Sequence, residues 1–173
     1  IRLDDKELLN VPMIYMMGSE AAPIYTKEEV RNLENYLRNG GFIFIDDGYA
    51  YKPGAFNQMV RQMIEDALGY DAEFERIPNN HWLYHCWEDF SGPPSGEDDL
   101  RYEQELRPGW RPPPGNERYP YLEGVFLNGR LAVLMSNKGY CKAWGTWTTG
   151  PRPVDNVRQL QFGLNVIVFA STQ

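Results

Sequence analysis

Apolar and polar residues follow one another in blocks whose lengths suit strands and helices. Residues 12–17 form a short apolar run, which predicts a buried strand. Thr26 and Glu29 have the spacing of a capping box, so a helix is predicted to begin there. Residues 39–41, Asn-Gly-Gly, are predicted to end it, because glycine readily takes the left-handed conformation of a helix C-cap. Residues 42–45 predict a second buried strand.

The same alternation continues along the chain. Apolar residues at helical spacing from Phe56 to Ala67 predict a second helix that ends near Gly69, and residues 72–77 predict a third strand. The order β-α-β-α-β is typical of a parallel sheet with right-handed crossovers and helices on both faces.

The last part of the chain predicts an antiparallel hairpin and a final helix. Residues 124–127 and 130–135 flank Asn128-Gly129, which is the strongest two-residue hairpin signal. Asp155 is expected near the start of the C-terminal helix. Four apolar residues at helical spacing are expected to pack this helix on the sheet: Val157, Leu160, Leu164 and Ile167.

Residues 91–120 interrupt the pattern with seven prolines and with mixed charges that show no periodicity. So long a loop is unusual in a compact domain, so it either packs as a lid or partner surface or is a solvated insertion. With 173 residues in all, the chain is predicted to be a single α/β domain, residues 1–173, with a Pro-rich insertion at 91–120.

Composition narrows the range of partners and compartments. A formal net charge of -7 with scattered basic residues argues against nucleic acid, which requires a concentrated basic face. The apolar run at 164–170 is far shorter than the roughly 20 residues of a membrane span, so none is predicted. Cys86 and Cys141 do not make a disulfide framework, although an exported protein could join them once.

Carboxylates are expected at the edge of the sheet where ligands of open α/β proteins bind, beyond the carboxyl ends of the strands. Residues 18–20 follow the first strand, and Asp46 and Asp47 follow the second. These carboxylates are candidates for binding a metal, a sugar hydroxyl or a cationic group. The alternative is that they form Asx turns that terminate the strand.

Two segments carry residue types that suit catalysis. His81 and His85 have a spacing that allows a zinc site on a helix, but no second spaced pair accompanies them, so a structural or an acid–base role competes with metal binding. Cys141 has the small neighbours of a nucleophile elbow, yet residues 144–150 are poor helix formers, and no helix dipole is expected to lower the thiol pKa. No glycine-rich phosphate loop is present, so no nucleotide or other cofactor is predicted.

Aromatic and polar residues offer a second kind of site. Aromatic residues cluster between Trp82 and Trp87 and again around Trp144, where they would stack on sugars, seat a partner peptide or pin loops against the domain. Arg158 and Asn165 lie two turns apart on one face of the final helix, where they would either bind a ligand or hold the preceding loops by hydrogen bonds.

These motifs, in this order, resemble the bacterial domain-of-unknown-function family 4159. The matching stretches are residues 9–18, 26–47, 77–90, 124–135 and 158–170. The most specific of them are Tyr-Leu-x-x-Gly-Gly-Phe-x-x-x-Asp-Asp at 36–47 and Gly-x-Asn at 163–165. The resemblance implies a flavodoxin-like or class I glutamine-amidotransferase-like fold, with a mostly parallel sheet and an antiparallel hairpin, but without the cysteine–histidine pair of amidotransferase chemistry.

Further expectations follow from the resemblance alone. Members usually carry another β-α unit before the first strand seen here, so the sheet is expected to lack that unit. Trp82 stands where the family often has proline. Small members typically begin with export signals, which implies the periplasm or the cell surface. Six residues occupy family positions with no established reaction: Asp46, Asp47, His81, Arg130, Arg158 and Asn165.

Two functional hypotheses result. The first is a non-catalytic binding or accessory module of an exported assembly, with a protein or carbohydrate partner and no metal or other cofactor. The alternative is a metal-assisted hydrolase that uses Asp46, Asp47 and His81. The candidate binding residues are Asp46, Asp47, His81, His85, Arg130, Trp144, Arg158 and Asn165.

Overall fold

The computed structural model describes residues 2–48, 54–97, 120–145 and 155–173. Within these ranges the chain forms one five-stranded sheet, in the order β1-β2-β5-β4-β3, and four α-helices. The elements in chain order are β1 Met13–Gly18, α1 Lys27–Arg38, β2 Phe42–Asp47, α2 Ala55–Leu68, β3 Glu75–Arg76, β4 Glu123–Leu127, β5 Arg130–Ser136, α3 Tyr140–Trp144 and α4 Val157–Thr172.

Strand directions confirm an α/β chain with a mostly parallel sheet. β2 pairs in parallel with both β1 and β5, whereas β4 pairs antiparallel with β5 and with β3. Four of the five strands therefore point the same way, and only β4 runs against them.

The predicted third strand at 72–77 is present but shorter, and its only pairing within the described residues is antiparallel, with β4. β3 is only two residues long, both exposed, and it lies at the far edge of the sheet against β4. The place beside β2 is taken by β5, whose residues 131–136 are all buried. A continuous apolar strand of this kind suits the centre of a sheet covered on both faces, and the half-polar run at 72–77 does not.

Helices cover both faces of the sheet. On one face, Ile43, Ile45 and Val133 pack with residues of α1 and α2. On the other face, Phe44 and Leu134 pack with residues of α4 and of the loop at 77–90. β2 and β5 thus contribute to two apolar cores, one on each side.

Local signals in the sequence are confirmed at two turns. The Thr26 hydroxyl accepts from the Glu29 amide at 3.2 Å, while the Glu29 carboxylate accepts from the Thr26 amide at 2.8 Å, which completes the capping box. The hairpin between β4 and β5 turns at Asn128 and Gly129, with φ of 53° and 81°. Both residues tolerate this left-handed region better than others do.

The predicted packing of β1 and α4 is wrong in its detail. β1 is an edge strand, and Tyr15 and Met17 are 38% and 54% exposed. The stripe of α4 that was expected to face the sheet is about half exposed, and the buried side is the one with Phe162, Asn165 and Val166. Residues 159–173 carry no charge, so the pattern contains nothing that marks the solvent side.

An apolar groove of about 390 Å³ lies between β1 and α4. It is lined by Met13, Tyr15, Phe44, Trp144, Leu160, Gly163, Leu164, Val166 and Ile167. Among the described helices, none combines the length and the apolar character that crossing a bilayer requires.

Candidate functional site

Asp46 and Asp47 end β2, and both side chains are completely buried, at 0% exposure. The Oδ2 atom of Asp46 accepts hydrogen bonds from the backbone amide of Cys141 at 2.6 Å and from the Tyr15 hydroxyl at 3.3 Å. Burial raises the pKa of Asp46, and the hydrogen bond from Cys141 works against that shift. The Asp47 carbonyl accepts from the Gly139 amide at 3.1 Å. The pair therefore ties β2 to the segment after β5 instead of facing solvent.

Cys141 lies at a strand–turn–helix junction. β5 leads through Gly139, whose φ is 65°, directly into α3. A five-residue helix does contain this cysteine, but it ends at Trp144, where the poor helix formers expected at 144–150 begin, and residues 146–150 lie outside the described residues. The Asp46 carboxylate binds the Cys141 amide, and the rings of Tyr140 and Trp144 stack at 6.0 Å.

The surroundings of the thiol nevertheless oppose its ionisation. Burial in the first place, and the neighbouring Asp46 carboxylate in the second, raise the pKa of Cys141 to about 12. A thiol needs its anionic form to attack an electrophile, and a nearby carboxylate opposes that form. Cys86 and Cys141 are both free thiols.

A crevice of about 500 Å³ opens at the carboxyl edge of the sheet. Its walls are residues 17–23, Gly48, Phe56, Cys141 and Lys142. The Lys142 ammonium donates to the Gly48 carbonyl at 2.7 Å and lies 3.3 Å from the Glu97 carboxylate. We refer to this cavity as the rim crevice. It occupies the position where ligands of open α/β proteins bind.

The first part of the Pro-rich insertion packs beside the rim crevice. The Tyr140 hydroxyl donates to the Pro94 carbonyl at 2.6 Å, and the Glu97 amide donates to the Lys138 carbonyl at 2.9 Å. A Cβ atom at Gly96 would lie 1.8 Å from the Lys138 carbonyl oxygen, so only glycine allows this approach. Residues 91–97 are thus packed against the domain, and residues 98–119 lie outside the described residues.

His81 lies at the other end of the sheet from the two aspartates. Its ring is 5.5 Å from that of Phe169, which in turn is 5.7 Å from that of Phe42 at the start of β2. Burial lowers the pKa of His81, and its Nδ1 atom accepts from the Leu83 amide at 3.2 Å. Both observations favour the neutral form of His81, whose side chain stabilises the turn that follows it by accepting from the Leu83 amide.

The residues of the hydrolase hypothesis are therefore not brought together. Asp46 and Asp47 are at the carboxyl end of β2, and His81 is near its amino end. Within the described ranges, no group of three histidine, cysteine, aspartate or glutamate side chains is arranged to hold a metal ion.

Asn165 fastens the loop that contains His81. This completely buried residue of α4 donates from Nδ2 to the Leu83 carbonyl at 3.0 Å and to the Glu88 carbonyl at 2.9 Å. Its Oδ1 atom accepts from the Glu88 amide at 2.8 Å. These three side-chain bonds go to the backbone of residues 78–90, which we call the aromatic loop.

Two further candidates contact the same loop, Arg158 from α4 and His85 from within the loop. Arg158 donates to the Asp89 carbonyl at 3.0 Å, and its guanidinium lies 3.9 Å from the centre of the Phe90 ring. His85 contacts Asp89 through Nδ1 and the Asn79 carbonyl through Nε2, at 3.1 Å. The Asp89 carboxylate raises the pKa of His85. Four of the candidate residues thus converge on one loop.

Arg130 and Trp144 have structural contacts elsewhere. The Arg130 guanidinium donates to the carbonyls of Leu37 and Gly41, at 2.5 Å and 2.9 Å, and so caps the end of α1. The Trp144 indole donates to the Gln159 carbonyl at 2.7 Å, which joins α3 to α4. Trp144 also forms one wall of the apolar groove.

Two exposed residues of the aromatic loop are not among the candidate binding residues predicted from the sequence. Trp82 and Trp87 are 58% and 66% exposed, although both lie within a stretch held by buried bonds. The sequence contained the signal, since the aromatic cluster is visible there, but it did not separate these two indoles from buried neighbours such as Tyr84.

Each of the two most specific stretches of the sequence, residues 36–47 and 163–165, contains a glycine that packs closely against an aromatic ring. A Cβ atom at Gly41 would lie 2.5 Å from the Tyr36 ring, and one at Gly163 would lie 3.2 Å from the Trp144 ring.

The profile of the family described as domain of unknown function (DUF4159) matches residues 1–171. The chain belongs to the DUF4159 family. A comparison with curated proteins gives no match. The description of DUF4159 attaches no reaction to the positions described above.

Proposed function

We propose that this DUF4159 chain is a non-catalytic binding module, an accessory component of an exported assembly. The observation that carries the proposal is that the surroundings of Cys141 favour the protonated form of its thiol. This thiol belongs to a residue that lines the rim crevice, yet burial and Asp46 raise its pKa to about 12. At neutral pH such a thiol is protonated, and a protonated thiol is a poor nucleophile.

The binding capacity is attributed to the open surfaces of the domain. The rim crevice has a mixed lining, with apolar side chains such as Phe56 beside the Lys142 cation. The aromatic loop adds two exposed indoles. Aromatic rings and a cation in a preformed surface suit a protein partner or a carbohydrate.

The finer fold assignment and the location are parts of the same proposal. The parallel arrangement of β1, β2 and β5, with helices on both faces, supports a flavodoxin-like or glutamine-amidotransferase-like fold. An experimental structure compared with amidotransferase structures tests this assignment. Export to the periplasm or the cell surface rests on the family resemblance, and fractionation of the native host tests it.

Thiol reactivity tests the absence of an activated nucleophile. In a Cys86→Ser variant, Cys141 is the only thiol. We expect its alkylation by iodoacetamide at pH 7 to be at least about 100-fold slower than in the same chain unfolded in urea. The matched Cys141→Ser variant reports the reactivity of Cys86. Rapid alkylation of Cys141, together with loss of a hydrolytic activity detected in a broad screen, contradicts the proposal.

Deletion of most of the Pro-rich insertion tests whether that segment takes part in partner binding. Removing residues 98–114 leaves the packed segment at 91–97 in place. We expect crosslinking in the native host to recover fewer partner molecules with the deletion variant than with the unaltered chain. Equal recovery contradicts a role for the insertion in binding.

A further inference from the structure

His85 connects the two ends of the aromatic loop. Its Nδ1 atom contacts a carboxylate oxygen of Asp89, and its Nε2 atom lies 3.1 Å from the Asn79 carbonyl oxygen. Both partners are hydrogen-bond acceptors, so each ring nitrogen needs a proton in order to donate. A neutral imidazole carries one N–H group, whereas the imidazolium carries two. Both contacts are therefore hydrogen bonds at the same time only when His85 is protonated.

The contact with Asn79 holds a turn that forms part of a cavity. The His81 amide donates to the Pro78 carbonyl at 2.9 Å, which makes residues 78–81 a β-turn with Asn79 inside it. Asn79 also lines a polar cavity of about 490 Å³, which we call the loop cavity. Its other walls include residues 90–95 and, near the start of α4, Asp155, Arg158 and Gln159. His85 thus ties one wall of this cavity to the end of the aromatic loop.

Asp89 is the charged partner of His85. Its hydrogen bond is the main cause that raises the pKa of His85, the Asn79 carbonyl adds to the effect, and partial desolvation opposes it. The folded chain therefore holds this proton more tightly than the unfolded chain, whose histidines titrate near about 6.5. The stabilising contribution is complete below that value and is lost as pH rises through the folded-state pKa.

Three further charged or titratable groups lie around the loop. Arg158, on α4, donates to the Asp89 carbonyl at 3.0 Å. Asp155, just before α4, lines the loop cavity. His81 is the second of the two histidines of the chain, and burial lowers its pKa, so it is already neutral in the range in which His85 loses its proton. Histidine is the side chain that ordinarily changes charge between about pH 5 and 8, so His85 is the group that responds there.

We propose that His85 is a pH-sensitive clasp of the aromatic loop, whose imidazolium fixes the turn at 78–81 to Asp89 and whose neutral form releases it. Asn165 binds the backbone of Leu83 and Glu88 in both states, so the change is confined to the turn and to the wall of the loop cavity. The Asp89 side chain is 90% exposed, and exposed ion pairs add little to overall stability. The clasp needs no partner, so it goes beyond the binding-module function proposed above.

Proton NMR of the full chain measures the titration of both histidines. The signal that is missing from a His85→Gln variant belongs to His85. We expect His85 to titrate above about 6.5 and His81 below it. Asp89→Asn should lower the pKa of His85. Asp66→Asn is the matched control, because it removes an exposed carboxylate of α2, on the other face of the sheet, and it should leave that pKa unchanged.

Hydrogen exchange measures the release of the turn. Because one hydrogen bond is lost, protection of the His81 amide should fall about three- to tenfold between pH 6 and pH 8, after correction for the intrinsic pH dependence of exchange. In His85→Gln, which does not ionise, protection should be the same at both pH values. The Glu88 amide donates to the buried Asn165, so it is the internal control and should keep its protection.

Four results would overturn the clasp. They are a pKa of His85 at or below about 6.5, a pKa of His85 that Asp89→Asn leaves unchanged, protection of the His81 amide that does not change with pH, and a pH-dependent protection that persists in His85→Gln. Thermal unfolding verifies that each variant is folded. Hydrolytic turnover or the loss of a partner would bear on the binding-module function and would leave these four measurements unaffected.

Discussion

The side-chain amide of Asn165 binds both the amide and the carbonyl of Glu88, and it thereby joins α4 to the aromatic loop. A single asparagine thus reproduces the pairing that a neighbouring strand would supply to that residue. The third bond holds the carbonyl of Leu83, which follows Trp82 in the chain, whereas the two bonds to Glu88 hold the backbone just after Trp87.

Replacing Asn165 with alanine should destabilise the protein and loosen the loop. Three backbone groups lose their partner, two of them carbonyls and one an amide. Because unpaired buried groups cost about 1–3 kcal/mol each, we expect a loss of about 3 kcal/mol in the free energy of unfolding. Urea unfolding measures the loss, and hydrogen exchange measures the opening of residues 82–90. Ser171→Ala, on the exposed end of α4, is the control. Unchanged exchange in the loop would contradict this role.

Gly18 at the end of β1 should not tolerate alanine. An added Cβ atom would lie 2.3 Å from the Phe56 ring, which is itself buried. Overpacking of this kind costs about 1–3 kcal/mol, and we expect a corresponding decrease in the unfolding midpoint. Gly145→Ala is the matched control, because its Cβ atom would meet its nearest neighbour at 3.4 Å. Equal stability of the two variants would show that Phe56 moves aside freely.

Truncation on the two sides of α4 should destabilise the protein by different amounts. Phe162 is completely buried, so Phe162→Ala should cost about 3–5 kcal/mol of stability. Leu164 is about half exposed beside the apolar groove, so Leu164→Ala should cost about 1 kcal/mol or less. Denaturant unfolding of both variants compares the two sides. Similar losses would mean that Leu164, and not only Phe162, packs in a core.

The stability of the protein, measured relative to an Asp46→Asn variant, should decrease as pH rises. Burial raises the pKa of Asp46 in the folded state. The folded chain therefore holds this proton more tightly than the unfolded chain, whose aspartate titrates near 3.9. The favourable contribution is complete below that value and is lost as pH rises through the folded-state pKa.

An asparagine at this position keeps an acceptor for the Cys141 amide but does not ionise. We therefore expect the free energy of unfolding of the unaltered chain, minus that of the variant, to fall as pH rises above about 4. Urea unfolding at a series of pH values measures this difference. A difference that rises with pH would show that the carboxylate is stabilised in the folded state.

Local features of the fold were readable in the sequence because they depend on a few adjacent residues. The capping box at Thr26 and Glu29 and the turn at Asn128-Gly129 are both of this kind. The α/β class was equally readable, since blocks of apolar residues separated by helical periodicity leave few other architectures.

The sequence by itself therefore determined most of the helices and strands, and the family. Only the tertiary structure decided which strand lies beside β2, which side of α4 is buried, and which aromatic residues of the loop are exposed. Those outcomes depend on contacts between residues far apart in the chain, such as Asn165 with Glu88 and Asp46 with Cys141. After Arg158, α4 has no charged side chain and offers several apolar sides of similar hydrophobicity, and the shape of the sheet and loop it packs against selects one of them.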